Sequence, residues 1–229
     1  MNEAVLLAGG EGLRLKGRTK TPKPLLPIFK GVTLLEYQLL WLDSIGIKKK
    51  IVACNTEVRN NLPDEFGELV KNIKWSVENK KLGTGGALSK ALSKVKEEYV
   101  YVMNVDDIIL DEKYTTNGLE KLSQGGGAIL VSKPTLGFGQ VELSPYQDVI
   151  RFIEKPELDL LVNAGHYVFN INKTSKYLPE KGSLEYDTLK VMAYKRMLKA
   201  SVYNGIWRTL NTYKDLMEIK KLMKEVFKK

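Results

Sequence analysis

The sequence predicts an α/β protein built on a doubly wound, mostly parallel sheet. Short apolar runs of strand length alternate with amphipathic helical stretches through about residue 122, and the first of these runs ends in a glycine-rich turn. The 229 residues, 43% hydrophobic and 28% charged, hold ample material for a core and exclude a disordered tail, a collagen-like chain or a disulfide miniprotein. One globular unit over residues 1–229 is the simplest domain count for this length.

The opening EAVLL is a continuous apolar run, the pattern of a buried strand. Leu35, Leu39, Leu42 and Ile45 then recur at helical spacing, with Gly46 as the stop. KKIVAC reads as the second strand. Its Cys54 is expected to be buried rather than nucleophilic, because a single His exists in the chain to activate it. IKWSV and YVYVMNV are further strands, flanking a helix whose stripe is Ala87, Leu88, Ala91, Leu92 and Val95. After residue 125, AILVSK, GQVELS, DVIRFIE and GHYVFN are shorter strands expected to extend the sheet. A helix is expected from about Leu184 to Leu198. A terminal helix from about Thr212 carries Leu216, Ile219, Leu222, Met223 and Val226 on one face. In a sheet of this kind ligands bind outside the carboxyl ends of the strands, where LLAGG and NVDD fall.

Thirty-six Lys and Arg against 27 Asp and Glu give a net charge of +9. Arg14, Lys16, Arg18, Lys20, Lys23 and Lys30 all lie between residues 12 and 35, with no acid among them. Gly12, Gly17, Pro22, Pro24 and Pro27 make that segment an irregular loop, suited to a small polyanion rather than to nucleic acid. No zinc-finger spacing or RNA-recognition motif supports a nucleic-acid partner. No stretch approaches the ~18 apolar residues of a membrane span, and MNEAVLLAGG lacks a charged n-region and cleavage site, so a cytoplasmic protein without membrane contact is expected.

The segment LLAGGEGLRLKGRTKTPKPLLPI, residues 6–28, concentrates the chemistry. Gly9, Gly10 and Gly12 permit close backbone approach, so that N–H groups can face phosphate oxygens. Arg14 adds a planar donor fork, and Lys23 is a point charge stiffly presented between Pro22 and Pro24. The GK[ST] ending of a P-loop is absent.

This segment resembles the signature of the sugar-1-phosphate nucleotidyltransferase family. Matching motifs continue along almost the whole chain: LGTGGAL (82–88), NVDD (104–107), GFGQVE (137–142), FIEKP (152–156), NAGHYVF (163–169), SLEYD (183–187) and WRTLNT (207–212). The resemblance implies a Rossmann-like mixed sheet flanked by helices, with no C-terminal β-helix domain, and a possible homo-oligomer. It implies transfer of a nucleotidyl group from a nucleoside triphosphate to a sugar 1-phosphate, with release of pyrophosphate. Leu7, Ala8, Gly9, Gly10 and Gly12 would then contact the nucleotide, with Arg14 and Lys23 as the catalytic cations. Glu78, Gly83, Thr84 and Gly85 would lie towards the base. Lys155 would grip the sugar 1-phosphate and Glu154 a sugar hydroxyl, with Gly139, Asn163 and Gly165 lining the sugar pocket. Asp106 would ligate Mg²⁺, supported by Asp107 through water, while His166 would be a strand residue near the sugar.

An acceptor-only carboxylate at Glu78 suits the N1–H and N2–H₂ donors of guanine, which favours GTP. Two positions depart from the family pattern: Leu13 replaces a usual Thr, and Thr209 stands where a second metal-binding Asp is usual. Those departures raise the alternative of a catalytically weak, regulatory paralogue.

Overall fold

A seven-stranded sheet organises the computed structural model, which describes residues 1–10, 12, 15, 17, 19–63, 66–67, 69, 73–111 and 114–227. In chain order the strands are β1 (Glu3–Leu7), β2 (Pro27–Phe29), β3 (Val32–Thr33), β4 (Lys49–Asn55), β5 (Ile73–Glu78), β6 (Tyr99–Asn104), β7 (Asp107–Ile109), β8 (Gly127–Ser132), β9 (Gln140–Leu143), β10 (Val149–Ile153), β11 (Val162–Asn170), β12 (Leu198–Val202) and β13 (Trp207–Thr209). Helices α1 (Leu34–Ser44), α2 (Thr56–Asn60), α3 (Gly83–Leu92), α4 (Asn117–Leu122), α5 (Lys190–Tyr194) and α6 (Tyr213–Val226) accompany them. The sheet order is β12-β8-β11-β6-β1-β4-β5. All neighbours are parallel except β11, which runs antiparallel to both β6 and β8. The expected mixed, mostly parallel sheet is therefore present.

Alternation along β1 divides the core. Leu6 faces the cluster that holds Leu35, Leu39 and Leu42 of α1 with Leu216, Ile219 and Met223 of α6. Val5 and Leu7 face the opposite cluster, with Leu88, Ala91 and Leu92 of α3. Helices on both faces explain why every residue of β1 is buried and why Ala4–Leu7 is apolar without alternation, while the buried Glu3 at its start accepts from the Lys96 and Glu97 N–H groups. Thr33 and Glu36 form a capping box that starts α1, and Gly46, at φ +88°, follows its end as the sequence predicts.

Two expectations are corrected. The helix expected to reach Leu198 begins as a π-helical turn at Leu184–Leu189, continues as α5 and ends at Tyr194. Leu198–Val202 is instead β12, parallel to β8. Arg196, at φ +56°, turns the chain out of the helix, and the Met197 carbonyl accepts from Gly127 N–H, so sheet pairing overrides helical spacing. Of the four pieces expected to extend the sheet, β8 and β11 do so, whereas β9 and β10 pair only with each other. Pro134, just past the end of β8, has no N–H for further pairing, and Gly137 and Gly139 follow before the ribbon starts. The register puts Val141 opposite Phe152 and Leu143 opposite Val149, and all four side chains are 46–63% exposed.

Candidate active site

The chain leaves β1 and β6 side by side, at Leu7 and Asn104. The two segments that follow, Ala8–Gly10 and Val105–Asp106, border a cleft of about 480 Å³. Leu7, Gly9, Gly10, Gly12, Glu78, Gly83 and Thr84 line it together with Lys23 and Asp106. Ala8 is fully buried beneath it and donates its N–H to the Ala53 carbonyl at 2.7 Å. Gly85 is turned to the segment before the π-helical turn, donating to the Gly182 carbonyl at 3.0 Å. Leu13 and Arg14 lie outside the described residues.

Close approach explains two glycines. A Cβ on Gly9 would stand 2.5 Å from Glu78 Oε1, so a side chain there would displace the carboxylate. Gly83, at φ +77°, would bring a Cβ within 2.3 Å of the Gly182 carbonyl oxygen and push α3 off the segment it packs against. Glu78 is nearly buried, and its Oε2 accepts from Leu82 N–H at 3.0 Å.

Lys23 Nζ donates to Asp106 Oδ2 across the cleft. The Lys23 backbone opens a short 3₁₀ turn, Lys23–Leu25, whose Pro24 and Leu25 are buried, so a flexible side chain begins from a rigid base. Asp107, next along, points the other way and is buried. Asn104 Nδ2 donates to it at 3.0 Å, and the Thr209 hydroxyl donates as well. The pairing of β13 with β7 sets Thr209 directly opposite Asp107. Burial first, and the charge of Asp106 second, push the Asp107 carboxyl up to about 7.

His166 is fully buried, with Tyr101 Oη 2.8 Å from Nδ1 and the Asp107 carbonyl 3.1 Å from Nε2. A carbonyl can only accept, so Nε2 carries the proton and Tyr101 donates to Nδ1. Burial lowers its pKa to about 3, and the imidazole is neutral at physiological pH. Burial likewise raises the Cys54 thiol to about 11, in keeping with an inert strand residue.

These two buried groups make opposed contributions to acid stability. Below pH 6.5 the unfolded chain protonates His166 while the folded chain does not until about 3, so stability falls with pH through that window. Asp107 takes its proton in the folded state near 7 but in the unfolded state near 3.8, so its contribution rises as pH falls between those values. Asp107→Asn removes the second contribution. In metal-free buffer its unfolding free energy should drop relative to wild type by about 1 kcal/mol for each pH unit from 6.5 to 4.5, read by urea denaturation. Parallel curves for the two proteins would mean that the carboxyl is not held up.

The residues expected around the sugar are dispersed. Asn163 is exposed, donating to Tyr167 Oη at 2.8 Å and accepting from Gly165 N–H at 3.0 Å. Gly165 is buried against Asp107. Gly139 and Glu154 lie beside each other at the end of the ribbon. Lys155, at φ +49°, pairs with Glu218 of α6 at 3.1 Å. None of these five lines the cleft.

The donors at the cleft suit a small hard cation. Asp106 supplies a partly exposed carboxylate, and Asn104, which lines the same cleft, has its Oδ1 buried with no partner among the described residues. Mg²⁺ commonly takes one or two carboxylates and keeps several waters, so this oxygen set fits it. Among the described residues no cluster of three or more His, Cys, Asp and Glu forms a denser metal site. Asn104 and Asn211, which also line the cleft, fall within the NVDD and WRTLNT motifs, where the sequence assigned them no role of their own. The position of Asn104 at the mouth of a strand was the available signal.

Among the described residues no helix is long and apolar enough to cross a membrane. The chain is 33% identical over 193 residues to the D-glycero-alpha-D-manno-heptose 1-phosphate guanylyltransferase of Campylobacter jejuni, covering 80% of this chain and 83% of that protein. It is 29% identical over 228 residues to the mannose-1-phosphate guanylyltransferase catalytic subunit beta of Dictyostelium discoideum, covering 94% of this chain and 62% of that one. The chain thus spans about three-fifths of the length of the mannose-1-phosphate relatives it matches. HddC from Yersinia pseudotuberculosis, solved in complex with GMP-PN, shares the fold at a TM-score of 0.73 and 22% identity, over 97% of this chain and all of that one. The inositol-1-phosphate CTP transferase of T. maritima shares it at 0.71 and 19% identity, over 99% of this chain and 96% of that one. A nucleotidyl transferase model matches residues 3–225, from the first strand to the last helix, and with the motifs strung between those ends it establishes that the chain belongs to the nucleotidyl transferase family.

Proposed function

We propose that this chain transfers a nucleotidyl group from a nucleoside triphosphate, GTP in preference, to a sugar 1-phosphate. The meeting of Lys23 and Asp106 at the carboxyl end of the central parallel strands, in a cleft bordered by Gly9, Gly10 and Gly12, carries the reading. In this reaction a phosphate oxygen of the sugar forms a bond to the α-phosphorus, and the bond from that phosphorus to the departing pyrophosphate breaks. The attacking phosphate is already an anion, so the protein has no proton to remove and its work is positioning and charge neutralisation. A buried, neutral His166 is consistent with that economy of acid–base groups.

Lys23 would stabilise charge gathering on the pyrophosphate side, helped by Arg14. Asp106 and Asn104 Oδ1 would hold Mg²⁺, which when bound neutralises charge on the phosphoryl oxygens. Glu78, an acceptor-only group at the cleft wall, supports guanine over bases with acceptor edges, and the names of the guanylyltransferase relatives point the same way. Those names make mannose and heptose 1-phosphates the first sugars to try. Lys155 would reach a sugar phosphate by exchanging its Glu218 partner for the ligand. No observation favours the regulatory alternative: Lys23 and Asp106 meet in the cleft, and the hydroxyl of Thr209 serves Asp107.

Pyrophosphate release should be measured for five nucleoside triphosphates crossed with mannose, heptose, glucose and N-acetylglucosamine 1-phosphates, with and without Mg²⁺. The expected result is Mg²⁺-dependent release with GTP at least ~10-fold faster than with any other base. Release with another base alone would overturn the guanine assignment. Silence from folded protein across the grid would overturn the transfer reaction.

A further inference from the structure

Gln38 is a polar residue on the apolar face of α1. It is fully buried, one helical turn from Leu34, Leu35, Trp41 and Leu42, all of them buried. Burying an amide in such surroundings is unfavourable unless its groups find partners. Its Nε2 donates to two backbone carbonyls, Val105 at 2.9 Å and Asp107 at 2.9 Å. Its Oε1 is buried with no partner among the described residues. The orientation of the amide follows from its neighbours, because two carbonyl oxygens can accept only from the NH₂ end.

The two carbonyls bracket Asp106. The Asp106 carbonyl itself accepts from Leu210 N–H at 2.9 Å, and the Asp107 carbonyl takes its second bond from His166. Three successive peptide planes are thereby fixed from three directions: α1, β11 and the segment after β13. Gln38 bonds the carbonyls of both chain neighbours of Asp106, in the 105–106 and 107–108 peptide planes, while Leu210 holds the plane between them.

We propose that Gln38 is a positioning residue for the reaction assigned above, acting through the Val105–Asp107 turn to aim the Asp106 carboxylate into the cleft; the inference rests on the nucleotidyl-transfer reading. An ordinary core position here would favour an apolar side chain, which leaves no orphan oxygen. The amide carries that penalty and supplies in return the two donors that a leucine or methionine lacks. Gln38 touches neither the cleft surface nor a reacting atom, so its effect must pass through the backbone of the turn.

The test uses Gln38→Met, which keeps length and volume while removing both donors, and Gln38→Glu, whose ionised carboxylate would face two carbonyl oxygens. For Gln38→Met the expected result is a folded protein whose Mn²⁺ affinity in the presence of GTP, read by electron paramagnetic resonance, is weakened about tenfold, with kcat lowered by a similar factor and KM for GTP changed less than threefold. The Leu210 amide, which donates to Asp106, should exchange its hydrogen at least ~10-fold faster, while the Ala8 amide in the neighbouring loop does not change. Gln38→Glu should be worse than Gln38→Met at pH 8. It should recover relative to wild type as pH falls, because a protonated carboxyl regains one donor.

Wild-type Mn²⁺ affinity and Leu210 exchange in Gln38→Met would overturn the proposal. So would activity losses that merely track the folded fraction, or unfolding of both variants at every pH, which would assign Gln38 to core packing. If wild-type protein turns over no substrate pair, the transfer reading fails by itself, whereas Mn²⁺ affinity and Leu210 exchange still decide the role of Gln38.

Discussion

Asp106→Asn should lower Mg²⁺-dependent pyrophosphate release by roughly 10²–10³-fold while leaving the fold intact. The substitution keeps the shape of the side chain and removes its charge. Lys23 retains an acceptor, because an amide oxygen can take the place of Oδ2 in the bond that joins them. The main-chain bonds that hold the turn do not involve the side chain, so the Asp106 carbonyl still receives Leu210 N–H. Removing the charge also relieves Asp107, whose carboxyl is pushed up partly by its neighbour. Stability should therefore change by less than about 1 kcal/mol, which a thermal melt alongside the kinetic assay would establish. A variant that keeps wild-type turnover with unaltered Mg²⁺ dependence would remove the metal assignment from this carboxylate.

Gly165→Ala is expected to have the largest effect on stability, a loss of about 3–5 kcal/mol. Gly165 lies in β11 at φ +72°, a conformation that costs a residue with a Cβ about 1–2 kcal/mol by itself. The added methyl would stand 1.8 Å from Asp107 Oδ2 and 2.8 Å from Asn104 Nδ2. It cannot be accommodated without breaking the Asn104–Asp107 hydrogen bond and displacing a buried carboxylate. A carboxylate moved away from its donors loses bonds that burial makes hard to replace. Chemical denaturation reads the loss. A shift below about 1 kcal/mol would show that Asp107 has room to move, and Gly165 would then be a simple turn residue.

Much of this architecture was legible in the residues. The alternation of EAVLL, the Leu35–Ile45 stripe, KKIVAC and YVYVMNV marks a parallel sheet covered on both faces, because such strands need no polar side. The glycine run with the Pro-flanked Lys23 marks an irregular loop at a strand end, and the fold sets it at the cleft. Local periodicity failed where pairing decided the outcome. Leu198 sits at helical spacing from its predecessors, yet the carbonyl of Met197 and a free edge on β8 draw the segment into the sheet. The β9–β10 ribbon carries the same apolar pattern as β8 and β11, and nothing in that pattern tells a residue whether another layer will cover it.

The candidate site divides along the same line. Residue types and their order determined the family and picked out Lys23 and Asp106 as candidate charges, which the fold brings together at the carboxyl ends of the strands. Tertiary structure decided who stands beside whom: Thr209 opposite Asp107 through β13, Gly165 against the same carboxylate through β11, and the amide of Gln38 beneath the Asp106 turn from a helix that reads as plain core. The physical reason is reach. Periodicity and turn chemistry act over a few neighbouring residues, whereas the partner of a buried donor or carboxylate is chosen by packing between segments far apart in the chain, and only the folded sheet brings them within bonding distance.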